Sequence, residues 1–151
     1  MKKFAFPLDR VLSWRQSQVR LAEAELNRLR AEHNALATQR AELTADVEQA
    51  RRELAVSSET TAVELGALEH YRRAAAGKAA RLEQSQVQLR ETISRQMQVV
   101  FERTREAKLL ERLRETRLAS WKSAAGREVD QLAEESYLSR LARAQTGSQV
   151  R

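Results

Sequence analysis

Two histidines and one pair of neighbouring glutamates are the residues whose types could carry chemistry. His33 could ligate a metal or act as a pH switch, since imidazole titrates near neutrality. The only other histidine, His70, has no ligand spacing to it. Glu134 and Glu135 are adjacent, so on a helix they point apart and make no acid–base pair. There is no cysteine, which excludes a disulfide framework and a thiolate metal site. The sequence contains no Gly-rich phosphate loop, no H-E-x-x-H and no nucleophile elbow. Catalysis needs a shielded site, and the elements described next offer none. The chain is therefore expected not to be an enzyme and to need no cofactor or metal. His33 reads as a solvated or register-setting polar residue. What remains is charge. Arg outnumbers Lys 22 to 5; genome composition would produce that excess, and so would a need for forked donors facing acidic partners.

The elements that would position these groups are helices. Ala, Glu, Lys, Leu and Arg make up 88 of 151 residues, above the roughly half that marks coiled coils and long helices. One proline and four glycines leave little turn chemistry for a sheet, and Val and Ile are few. The large apolar residues are too evenly spread for a compact core, which predicts a narrow buried seam instead.

That seam is explicit in the first third of the chain. One seven-residue ladder runs Leu12, Val19, Leu26, His33, Arg40, Val47, Leu54, and a second runs Arg15, Ala22, Leu29, Leu36, Leu43, Ala50, Ser57. Ten of these fourteen positions are apolar, a heptad repeat that predicts a supercoil with a partner helix. Arginine stems can lie along such a seam with their heads in water.

"SSETTAVE" at 57–64 interrupts the ladder. Ser58 or Thr60 could cap a new helix, and Thr61 with Glu64 matches the S/T-x-x-E capping box. A tight turn at about 57–60 makes the flanking helices antiparallel neighbours. The expected fold is all-α: a single elongated domain, an antiparallel coiled-coil hairpin with helices at about 8–56 and 61–144. The second helix is longer and overhangs. Its seam is read as Leu82, Leu89, Ile93, Met97, Val100, Phe101, Ala107, Leu110 and Leu113. Gly66, Gly77 and Gly126 mark possible breaks, and 145–151 reads as a frayed tail stopped by Gly147. Glu48 with Arg52, Glu69 with Arg73 and Glu91 with Arg95 are favourable i,i+4 pairs.

Length then becomes informative. The helices would span roughly 70 Å and 125 Å. Folding back at residue 58 sets Leu12 near position 105 and leaves everything beyond about 110 without an intrachain partner. That overhang carries Leu109, Leu110, Leu113, Leu118, Trp121, Val129, Leu132, Tyr137, Leu138 and Leu141, an apolar surface that calls for a partner. Phe4, Phe6, Leu8 and Val11 lie at the same end. Three of the seven aromatic residues, Phe4, Phe6 and Trp14, crowd "FAFPLDRVLSWR" at 4–15. They would either staple the start of the helix or form an end built to be buried in another protein. Pro7 suits a first helical turn, and Asp9 suits the positive end of the helix dipole.

Charge and hydropathy exclude further classes. The net charge of +6 divides as +2, +1 and +3 over residues 1–56, 57–106 and 107–151, so both signs are interleaved throughout. A basic zipper needs a dense basic block, and none is present; no nucleic-acid partner is expected. No apolar run approaches a membrane span. Asp9 and Arg10 cut short the run that opens "MKKFAFPL", so no export signal is read and the cytoplasm is the default.

The N-terminal stretch resembles the signature of the FliJ family, small coiled-coil proteins of the flagellar type III export apparatus. Phe6, Pro7, Leu8, Val11, Leu12 and Arg15 match it, as do Lys108, Leu110, Glu111, Leu113, Arg117 and Trp121 in "AKLLERLRETRLASWK". "EHYRRAAAGKAARLEQSQVQL" is similar to the family's mid-chain tyrosine and the helix after it. The resemblance covers nearly the whole chain. It implies a cytoplasmic stalk-like coiled coil, peripheral at the inner-membrane export apparatus, that does not insert into the membrane. The end carrying both termini would enter the hexameric flagellar export ATPase through Phe4, Phe6, Leu8, Val11, Arg15, Leu110, Arg114, Arg117 and Trp121. The region near the bend would contact the cytoplasmic part of the export gate. In some relatives a large apolar residue follows the mid-chain tyrosine; here Tyr71 is followed by Arg72, Arg73 and three alanines, which moves the implied gate contact to Tyr71, Arg72 and Lys78. Some members also handle export chaperones. Injectisome stalk proteins share the architecture. The alternatives are a structural homodimeric coiled coil and a chaperone escort without ATPase contact.

Overall fold

A first helix begins where the chain can no longer turn. In the computed structural model, which describes residues 3–57 and 59–148 with side chains as far as Arg143, Phe6 to Asp9 form a turn closed by the Asp9 amide donating to the Phe6 carbonyl at 3.1 Å. Pro7, with fixed φ and no N–H, sits inside that turn. The Leu12 amide then bonds the Leu8 carbonyl at 2.9 Å. Helix α1 runs Asp9–Val56 and helix α2 runs Ala62–Ser148. No strand occurs among the described residues. The fold is all-helical, two long helices packed against each other as a hairpin.

Of the capping candidates at the bend, the structure uses Thr61 and not Thr60. The Glu64 amide donates to Thr61 Oγ1 at 3.3 Å, and the Thr61 amide donates to Glu64 Oε2 at 2.8 Å. This reciprocal box makes Thr61 the cap, so α2 starts at Ala62 rather than at 61. Thr60 serves the other helix: its hydroxyl donates at 3.1 Å to the Leu54 carbonyl, which also accepts the Ser57 amide at 3.3 Å, at the end of α1 where carbonyls lack helical partners. Ser58 lies outside the described residues.

Four expectations about the two helices change. The helix passes unbroken through Gly66, Gly77 and Gly126, none with positive φ. It also passes through Gly147 to Ser148, so Gly147 is no stop; the last three positions of the expected tail, 149–151, lie outside the described residues. The ion pairs Glu69–Arg73 and Glu91–Arg95 form at 2.9 and 3.7 Å, but Glu48 pairs with Arg51, while Arg52 donates to the Glu48 backbone carbonyl. The fourth change concerns the seam.

The chain divides into two compact units, residues 17–104 and residues 1–16 with 105–151. In the first, every α1 ladder position from Val19 to Leu54 is covered, most fully Ala22, Leu26 and Leu29. The α2 ladder facing them is regular: Leu68, Ala75, Leu82, Leu89, Gln96, Arg103 alternate with Ala79, Gln86, Ile93, Val100. Met97 and Phe101, expected on this seam, are exposed, Phe101 by 69%. Polar side chains take their place. Gln96 Nε2 donates to the Ala22 carbonyl at 2.9 Å, and Arg103 Nη1 donates to the Gln18 carbonyl at 3.3 Å. Arg40 pairs with Glu83 at 3.1 Å. These levels define an antiparallel alignment.

Candidate partner-docking surface

The second unit contains nine of the twelve residues that the family resemblance marks for docking. Its packing starts from the segment before α1. Phe6 is buried at 8% exposure, and Phe4 is half-buried against Trp121, ring centroids 6.0 Å apart and tilted by 57°. Leu12 and Ala107 are buried, with Leu8, Leu110, Leu118 and Trp121 half-buried. Phe4 and Phe6 therefore staple this end of the hairpin from within, whereas Trp14 is exposed. Because residues 4–8 keep packing beyond the start of α1, the seam extends to Ala125. The overhang begins at about Gly126, not at about 110 as chain length suggested.

Polar contacts tie the same elements. Arg15 pairs with Glu106, and its guanidinium also lies 4.9 Å from the Trp14 ring centre. Gln16 Nε2 donates to Glu111 Oε1 at 2.8 Å. Arg114 approaches Asp9 at 3.6 Å. Arg15 and Arg114 thus already have acidic partners in the chain, while Arg117 is exposed and Val11 is 42% exposed.

Beyond the seam every residue from Gly126 to Arg143 is exposed, among them Val129, Leu132, Tyr137, Leu138 and Leu141. These five large apolar side chains on a stretch that α1 does not cover are the strongest partner-seeking feature of this unit. Val129 and Leu132 continue the face of Trp121 and Ala125. Leu138 and Leu141 fall on the opposite face of the helix, given 3.6 residues per turn.

The three residues assigned to the gate lie in the other unit. Tyr71 borders a shallow groove with Leu54, Ala67 and Leu68 beside the bend. Arg72 and Arg73 both donate to Glu69, and these hydrogen bonds, opposed by a small cost of burial, hold the Glu69 carboxyl down to about 2. The Arg72 guanidinium is itself raised by the same carboxylate. Lys78 is exposed. His33 is half-buried on the seam and His70 exposed. Among the described residues no group of three or more His, Asp or Glu side chains is placed to hold a metal ion, and no helix is long and apolar enough to cross a membrane.

The exposed outer surface is what sequence reasoning missed. Its signal was present: Met97 and Phe101 break the spacing set by Leu82, Leu89, Ile93 and Val100, one residue out of step in each case. Searches against protein-family models, curated proteins and solved structures find no match to this chain.

Proposed function

We propose that this chain is a non-catalytic stalk and coupling component of the flagellar type III protein export apparatus. The unit holding both chain ends enters the hexameric export ATPase, and the region of the bend meets the cytoplasmic part of the export gate, at the inner face of the membrane. Export chaperones are further candidate partners. The observation that carries the reading is the uncovered apolar stretch from Val129 to Leu141, on the same unit as the "FAFPLDRVLSWR" signature. The antiparallel pairing of two long helices is the architecture that the resemblance implies.

The structure shapes the mechanism within this reading. Arg15, Arg114, Phe4 and Phe6 hold the end together, and the ring meets Arg117 and the apolar stretch beyond Gly126. A stalk gripped by a ring stabilises the assembled ring by mass action, since it binds the hexamer and not its free subunits. The test is the ATP hydrolysis rate of the export ATPase with and without an equimolar amount of the chain. Stimulation together with co-purification supports the proposal; an unchanged rate and no complex removes it.

A further inference from the structure

The outer face of α2 in the unit with both termini carries a stripe that no described residue covers. Residues 105, 109, 112, 116, 119, 123, 126, 130, 133 and 137 recur in alternate steps of four and three, and all are exposed. This is heptad spacing, so they form one face, turned away from the covered line of Ala107, Leu118 and Trp121.

The order of residues along this face is self-complementary when reversed. Its centre is small: Thr116, Ala119, Ser123 and Gly126. A cation, Arg112, stands on one side of that centre and an anion, Asp130, at the equivalent distance on the other. Among the described residues neither has an ion-pair partner in the chain. Further out, Leu109, 58% exposed, mirrors Ala133, and Arg105 mirrors Tyr137, 64% exposed. Gly126 has no intrachain reason to be glycine, since a Cβ there would meet nothing within 4 Å.

We infer that two copies of the chain associate through this face, their α2 helices antiparallel and crossing at the level of residue 121. A twofold contact is isologous, so each unlike pair occurs twice. Arg112 of each copy meets Asp130 of the other, and Leu109 meets Ala133. Arg105 lies over Tyr137, an arrangement that favours a cation on an aromatic face. Small side chains at the crossing let the helix axes approach closely, because interaxial distance follows side-chain size at the contact. The inference goes beyond the export reading and stands without it: self-association is measured on the chain alone, and ATPase stimulation on the mixture.

Sedimentation equilibrium of the full chain is the test. A reversible monomer–dimer equilibrium that weakens with salt is expected, as exposed charge pairs are screened. Arg112→Glu places two acids opposite each other and Asp130→Arg two cations, and each raises the dimer Kd about tenfold. Combining Arg112→Glu with Asp130→Arg restores the starting Kd. Circular dichroism verifies that the variants keep their helicity. Independently, mixing an Ala119→Cys chain with a Ser123→Cys chain forms the mixed disulfide faster than either variant links to itself, since only 119 and 123 lie opposite each other. A chain that stays monomeric, single reversals that leave Kd unchanged, a double variant that fails to recover, or homodisulfides that form as fast as the mixed one would overturn the inference.

Discussion

Phe4 and Trp121 lie with their ring centroids 6.0 Å apart and their planes tilted by 57°, so a residue before α1 closes against the last third of α2. Tilted aromatic pairs at this distance contribute roughly 0.5–1.5 kcal/mol beyond their buried area. A double-mutant cycle of Phe4→Leu and Trp121→Leu, read by thermal unfolding, is expected to return a coupling of about 1 kcal/mol. Phe6→Ala, at the buried position beside them, should cost about 3 kcal/mol. A coupling near zero would show the rings to be independent.

Arg117 and Leu138 separate docking from stability. Both are exposed, so Arg117→Glu and Leu138→Asp should alter unfolding by no more than about 0.5 kcal/mol. Under the proposed function each should reduce ATPase stimulation severalfold. Arg114→Glu is the less useful change, because it also breaks the contact with Asp9. Full stimulation by both Arg117→Glu and Leu138→Asp would take these residues out of the contact.

Gly77 offers a stabilising substitution. It lies inside α2, and a Cβ there meets nothing within 4 Å. Gly77→Ala is expected to raise stability by up to about 1 kcal/mol, through helix propensity and a less flexible unfolded chain. A lower melting temperature would mean that the glycine serves a contact made outside the folded monomer.

The bend region carries a signed pH dependence. The Glu69 carboxyl is held at about 2 by hydrogen bonds from Arg72 and Arg73, against an ordinary value of 4.5. Glu64 is lowered by hydrogen bonds from the Thr61 amide and hydroxyl. A carboxyl that binds its proton more weakly when folded stabilises the fold fully above its unfolded pKa and loses that effect as pH falls through the folded one. The Glu69→Gln variant should therefore melt below the parent at pH 7, and the two should converge as pH drops from about 4.5 to about 2. Thr61→Ala removes the cap and should cost about 1 kcal/mol at neutral pH. Melting curves of parent and Glu69→Gln that stay equally separated at pH 2 would contradict the assignment.

The first helix was legible because its seam is written in leucines. The ladder from Leu12 to Leu54 and its companion from Ala22 to Ala50 are covered as heptad spacing demands. The Thr61–Glu64 box was legible for a similar reason: local hydrogen-bonding chemistry needs no distant partner. The second seam was not, because Gln86, Gln96 and Arg103 occupy it while Met97 and Phe101 face outward. A hydrophobicity pattern cannot show that an amide will find a backbone carbonyl on the opposite helix. The start of the overhang was misplaced because residues 4–8 pack without being helical, and helix lengths alone do not count them. Of the residues that the resemblance marks for docking, the sequence did not reveal that Arg15, Arg114 and Phe6 are engaged within the chain.

The amide of Gln96, reaching across to the Ala22 carbonyl, bears on how the two strands of the hairpin can slide. A seam made only of leucine and alanine has nearly the same energy when one helix slips by a heptad, because like side chains meet again. Gln96 and Arg103 act as notches: displaced by seven residues, each would bury polar atoms without the acceptor it now uses, at the cost of an unmade hydrogen bond. Leucines at these two positions would give a tighter but less committed pair, stable in more than one alignment. Cohesion is given up in return for a single setting of the two helices.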